Sequence, residues 1–139
     1  MKKMSNITEV VNDDQNMTTL KKGVNAAGLD KVLSSTGPYT VFAPSDLAFR
    51  KMDTGKFETL LRPENKTKLK DILNYHIVSG KVGYNDLKDG NKLKTISGQQ
   101  LSIVVKEGRV HIEGAEIEAR DLETSNGVIH VLDTVMIKN

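Results

Sequence analysis

The sequence predicts an α+β fold, and three observations carry that prediction. Apolar residues in the first half recur at helical spacing. After Gly80 the pattern changes to strict alternation of apolar and polar residues. Near the end, Val128-Ile129-His130-Val131-Leu132 is almost continuously apolar and β-branched, as a central strand would be. Helices first and strands later describe α+β, with short strands flanked by several helices.

The elements follow in order. Ile7, Val10 and Val11 fall at i, i+3, i+4 and predict a first helix. Leu20, Val24 and Ala27 predict a second, capped by Asn16 or Thr18 and ended by Gly28. Leu29, Val32 and Leu33 add a helical turn before the loop Ser34-Ser35-Thr36-Gly37-Pro38. Thr40 to Ala43 reads as a strand stopped by Pro44. Ser45 or Asp46 then caps a helix whose apolar face is Leu47, Phe49 and Met52. Phe57, Leu60 and Leu61 form another apolar turn, ended by Pro63. The spacing predicts a regular helix from Glu64 to His76, with Leu69, Ile72, Leu73 and His76 on one stripe. Strands are expected over Lys92 to Ile96, Leu101 to Lys106, Arg109 to Glu113 and Ala115 to Leu122. Turns fall at Ser97-Gly98 and Glu107-Gly108. Asn126-Gly127 reads as a turn, since both residue types accept positive φ, and Val135 to Ile137 as a last short strand.

Composition limits the function classes. The 139 residues suit one domain with a core from about residue 7 to 137, and no linker divides them. Net charge is only +2, and aromatic residues are 4% with no Trp. Phosphate neutralisation and base stacking both need more than this, so nucleic acid is not an expected partner. The absence of Cys excludes disulfides, thiolate zinc sites and thiol nucleophiles. No apolar run approaches the roughly 18 residues of a membrane span. Met1-Lys2-Lys3-Met4 has the charge of an export signal, but polar Ser5-Asn6 follows. Either the chain stays in the cytoplasm, or an export signal has been removed ahead of it.

Three segments stand out together. They are Thr40-Val41-Phe42-Ala43-Pro44-Ser45-Asp46-Leu47-Ala48-Phe49, Leu73-Asn74-Tyr75-His76, and Asn126-Gly127-Val128-Ile129-His130-Val131-Leu132-Asp133. In this order they resemble the two boxes and the intervening Tyr-His motif of the fasciclin domain family. The resemblance extends from about Ile7 to Ile137. It implies a wedge of β-strands flanked by helices and a role in adhesion or matrix interaction. It also implies no catalytic activity and no cofactor. The partner implied is a protein or matrix polysaccharide, outside the cell or in its envelope, met by a monomer or weak oligomer.

Four residues are candidates for the interaction or structural motif: Asp46, Tyr75, His76 and His130. His76 shares a stripe with Leu69, Ile72 and Leu73, so it faces inward. An unpartnered buried imidazole costs about 1–3 kcal/mol, so a hydrogen bond is expected, with Ser45 or Asp46 as partner. The alternative, implied by the resemblance, places Tyr75 and His76 on a receptor-binding surface. His130 shares a strand face with Val128 and Leu132 and reads as a hydrogen-bonded core residue.

Catalytic and metal patterns are weaker. His76, His111 and His130 lack the close spacing of zinc ligands, and His111 lies mid-strand. No Gly-x-Ser-x-Gly elbow or phosphate loop is present. Asn12-Asp13-Asp14-Gln15-Asn16 is rich in oxygen but lacks the Gly and Glu of a calcium loop. A rival reading is a small-molecule or metal-binding protein on the same scaffold.

Overall fold

A computed structural model describes residues 6–35, 37–51 and 56–136. Helices α1 (Ile7–Asp13), α2 (Thr18–Ala27) and α3 (Asp30–Leu33) lead into strand β1 (Tyr39–Pro44). Helices α4 (Asp46–Arg50) and α5 (Lys56–Leu60), a 3₁₀ turn (Pro63–Asn65) and α6 (Lys66–Asn74) follow. Then come β2 (Ile77–Ser79), a 3₁₀ turn (Tyr84–Asp86) and β3 (Lys92–Lys94). Strands β4 (Gln100–Lys106), β5 (Arg109–Ile112), β6 (Ala115–Thr124) and β7 (Gly127–Leu132) end the described chain. The strands form one sheet in the order β2-β1-β7-β6-β5-β4-β3. Among the described residues only β1 and β7 pair in parallel, joining two segments almost ninety residues apart in sequence. A bridge from Val78 to Thr95 and a bond from the Ile96 N–H to the Ile77 carbonyl (2.9 Å) bring the two ends of the sheet together, nearly closing the wedge.

Two apolar clusters flank the sheet. Helical residues Ile7, Leu20, Leu33, Leu69 and Leu73, with Leu29 between α2 and α3, pack with Val41, Ala43 and Ile129. Phe42, Leu132, Leu101, Ile103 and Ile112 make the second cluster with Tyr75 and Met136. Alternation along β1 and β7 therefore feeds both cores, which is why these strands read as continuous apolar runs. The internal position expected for the last strand is the one observed.

Several boundaries differ from expectation. Helix α6 ends at Asn74, so His76 lies just beyond it, and the backbone straightens at once into β2. Two β-branched residues, Ile77 and Val78, favour that extension. Pro44 does not stop β1 but is its last paired residue, opposite Leu132. A proline at a strand's end removes little from the ladder. Leu47 leaves the expected apolar face: Ala48 and Phe49 are buried while Leu47 is 53% exposed. Met52 and Ile137 lie outside the described residues. Val135 and Met136 are buried without forming a strand.

The cap of α2 also differs. Met17 occupies the cap position and offers no side-chain bond. The Asp46 carboxylate, 28 residues further on, accepts from the Thr18 hydroxyl (2.7 Å) and the Thr19 N–H (2.8 Å). The C-terminal cap is as expected, with Gly28 left-handed at φ 73°. No described helix is long and apolar enough to cross a membrane.

Candidate functional site

His76 is completely enclosed and uses both ring nitrogens on backbone groups. Its Nε2 accepts from the Met136 N–H at 2.9 Å. An acceptor nitrogen carries no proton, so the proton sits on Nδ1, which donates to the Ile72 carbonyl at 2.8 Å. That carbonyl is one of those left open in the last turn of α6, and the imidazole closes it. The His76 carbonyl accepts from the Phe42 N–H of β1 at 2.8 Å. One residue thus ties a helix end, a central strand and the segment after β7. Burial pushes its pKa down to about 4, against a smaller upward pull from the Ile72 carbonyl. The expected partners Ser45 and Asp46 do not contact it. The Ser45 hydroxyl accepts from the Ala48 N–H (3.2 Å) and caps α4, while Asp46 caps α2.

Tyr75 is buried in the second core and meets the His76 ring edge-on, with centroids 6.3 Å apart. Burial, then the charge of Glu113, raises its phenol pKa. His130 is also fully buried, on β7, and stacks against Phe42 at 5.6 Å. Its Nε2 donates to the Val82 carbonyl at 2.8 Å. Buried Thr40 supports the same loop, donating to the Gly80 carbonyl and accepting from the Val82 N–H, both at 2.7 Å. Phe42 links the two histidines, by its N–H to the backbone carbonyl of His76 and by its ring to the imidazole of His130. Asp46 stands apart from this group. Burial alone would raise its carboxyl pKa, but the hydrogen bonds from Thr18 and Thr19 outweigh that and hold it below the usual value.

Sequence reasoning missed Asn126. Its side chain is buried and makes four bonds. Oδ1 accepts from the Ile7 N–H (3.0 Å) and the Thr124 hydroxyl (3.3 Å); Nδ2 donates to the Leu33 and Ser35 carbonyls (2.7 Å each). Its own carbonyl accepts from the Tyr39 N–H at 3.0 Å. Asn126 lies in the turn between β6 and β7, as the Asn-Gly pair signalled; of the two residues, only Gly127 takes a positive φ, at 156°. A Cβ on Gly127 would collide with the Tyr39 carbonyl oxygen, so this approach of β7 to β1 requires glycine. The Asn-Gly pair signalled the turn but not the bonds that the Asn126 side chain makes.

Among the described residues, no three His, Asp or Glu side chains gather as metal ligands. His111 is half-buried on β5, opposite Val104 and Glu116, away from any such group. A cleft of about 710 Å³ opens between the link from α1 to α2, helix α4 and strands β6 and β7. Asp46 is the one candidate residue that borders it.

The geometry agrees with what the comparisons show. The Fasciclin domain model matches residues 15–138. Protein sll1483 of Synechocystis is 42% identical over 131 residues, covering 94% of this chain and 72% of the relative. Transforming growth factor-beta-induced protein ig-h3 of Sus scrofa is 31% identical over 138 residues, 96% of this chain but 19% of that longer protein. A solved pair of FAS1 domains from the insect cell adhesion molecule Fasciclin I superposes with a TM-score of 0.85 at 20% identity, covering 98% of this chain and 52% of that one. With its boxes forming the paired strands β1 and β7 and its Tyr-His motif fastened between them, this chain belongs to the Fasciclin domain family.

Proposed function

We propose that the chain is a non-enzymatic interaction module that binds a protein or matrix polysaccharide at a cell surface or in the envelope, with residues 7–137 working as one domain. The observation that carries this reading is the use made of the motif residues. Both nitrogens of His76 are engaged by backbone groups, and Asp46 and His130 are likewise bonded to other segments. Groups committed in this way hold elements together, and the His76 ring has no spare lone pair or proton for a substrate. Tyr75 and His76, being buried, then shape a binding face from beneath and do not touch the ligand. The name of the insect structure, a cell adhesion molecule, supports the same reading by likeness of fold.

Retention of material from a solubilised surface fraction on the immobilised chain tests the proposal. The expected result is a retained protein or polysaccharide. A small molecule held in the cleft, with no macromolecule retained, would favour the rival reading.

A further inference from the structure

Strand β6 is long, and only one of its edges is covered along its length. Strand β7 pairs with it from Ile117 to Thr124. On the other side β5 meets only Ala115 and Glu116. Beyond them, among the described residues, the outer edge of β6 has no strand partner. An uncovered edge presents backbone donors and acceptors to any extended chain.

Three residues of this stretch of β6, Glu118, Ala119 and Leu122, line the cleft of about 710 Å³. Ala119, Leu122 and Val131 supply an apolar floor, and Leu47 on α4 stands over it. Leu47 is the most exposed large apolar side chain described, so α4 spends an apolar residue on solvent at this one place. Among the described residues, the rim carries Asp14, Asp46 and Glu118 against a single cation, Arg50. Three carboxylates and one guanidinium make the rim acidic.

We propose that the free edge of β6 and this cleft together form a docking groove for an extended peptide segment of a partner protein, one that alternates apolar and basic side chains. The inference rests on the interaction-module reading and names the face and the partner's chemistry. The segment adds a strand to β6 by main-chain hydrogen bonds. Side chains on one of its faces enter the cleft over Ala119 and Leu122 beneath Leu47, and basic side chains meet Glu118 and Asp14. Period-two alternation makes both contacts available to one strand. An anionic polysaccharide is repelled by the same rim. Self-pairing by a second copy of this chain is the competing outcome of the test.

The test is titration of the ¹⁵N-labelled chain with a blocked Lys-Val-Lys-Val-Lys-Val-Lys peptide, its Glu-for-Lys counterpart and a Pro-for-Val counterpart. Amide shifts confined to residues 117–124 and the cleft are expected with the first peptide. Neither counterpart should bind, one for its charge and one for its missing donors. Glu118→Lys should weaken binding about fivefold, and Leu47→Ala about fivefold as well. Both sites are exposed, and unchanged amide positions elsewhere will show that each variant is folded. No response at the edge, equal binding of the Glu peptide, or Glu118→Lys without effect would overturn the proposal. So would self-association of the free chain through residues 117–124 in sedimentation. If Glu118→Lys still retains its surface macromolecule while the edge is silent, the groove fails and the module reading stands. If the unmodified chain retains none, the module reading itself fails.

Discussion

At the scale of single residues, buried polar groups decide where segments meet. His76 sets a pH dependence whose sign follows from its position. Its pKa in the folded chain is lowered to about 4 from 6.5, so on acidification the unfolded chain takes the proton first. Stability from this group is therefore fully present above about pH 6.5 and is lost as pH falls from there toward 4. The shift corresponds to about 3 kcal/mol. Denaturant melts at pH 7 and pH 4.5 should show most of that loss, and His76→Leu should flatten the dependence in this window. Asn126 makes a comparable demand. Asn126→Ala leaves the Leu33 and Ser35 carbonyls and the Ile7 N–H without their partner. The expected cost is about 2–4 kcal/mol, read from the denaturation midpoint. The sequence revealed inward-facing histidines by their apolar neighbours. It did not reveal their partners, because backbone carbonyls carry no side-chain signature. Asn126 was hidden for a related reason: four bonds to segments up to 119 residues away look, in sequence, like a two-residue turn.

At the scale of elements, periodicity placed the helices and most strands, while ends depended on distant groups. The end of α2 at Gly28 was legible because a left-handed cap favours glycine locally. The start was not, because Asp46 reaches it from the far side of β1. Asp46→Ala should cost about 1 kcal/mol and speed hydrogen exchange at the Thr19 amide, with little change at α6. Removal of the cap by acid follows the opposite shift to a raised pKa. The Asp46 carboxyl is held low, so its contribution is present above the ordinary carboxylate range and disappears as pH falls below it. This window lies under that of His76, so the two acid losses separate. Residues 75 and 76 were read as helix because the stripe through Leu69, Ile72 and Leu73 continues in register to residue 76. The break at Asn74 comes from tertiary pairing of Ile77 and Val78 with β1, which overrides the local pattern.

At the scale of the whole molecule, the parallel pairing of β1 and β7 closes the fold by uniting the first and last boxes. The mixed order β2-β1-β7-β6-β5-β4-β3 could not be read from local pattern, since it depends on long-range pairing. The resemblance to the fasciclin family supplied the architecture that periodicity left open. For the site, the sequence pointed to Asp46, Tyr75, His76 and His130, and the structure brings the last three to Phe42 while Asp46 serves α2. The exposed Leu47 and the open edge of β6 were illegible, because exposure depends on where β5 stops. The account stands on an imidazole that joins α6 to the segment after β7 and serves as a structural fastener. Nitrogen-15 NMR of the His76 ring across pH 8 to 4 tests this most directly. The account predicts a single Nδ1–H tautomer with Nε2 unprotonated until pH nears about 4. A ring that titrates near 6.5, or that carries its proton on Nε2 at neutral pH, would contradict it.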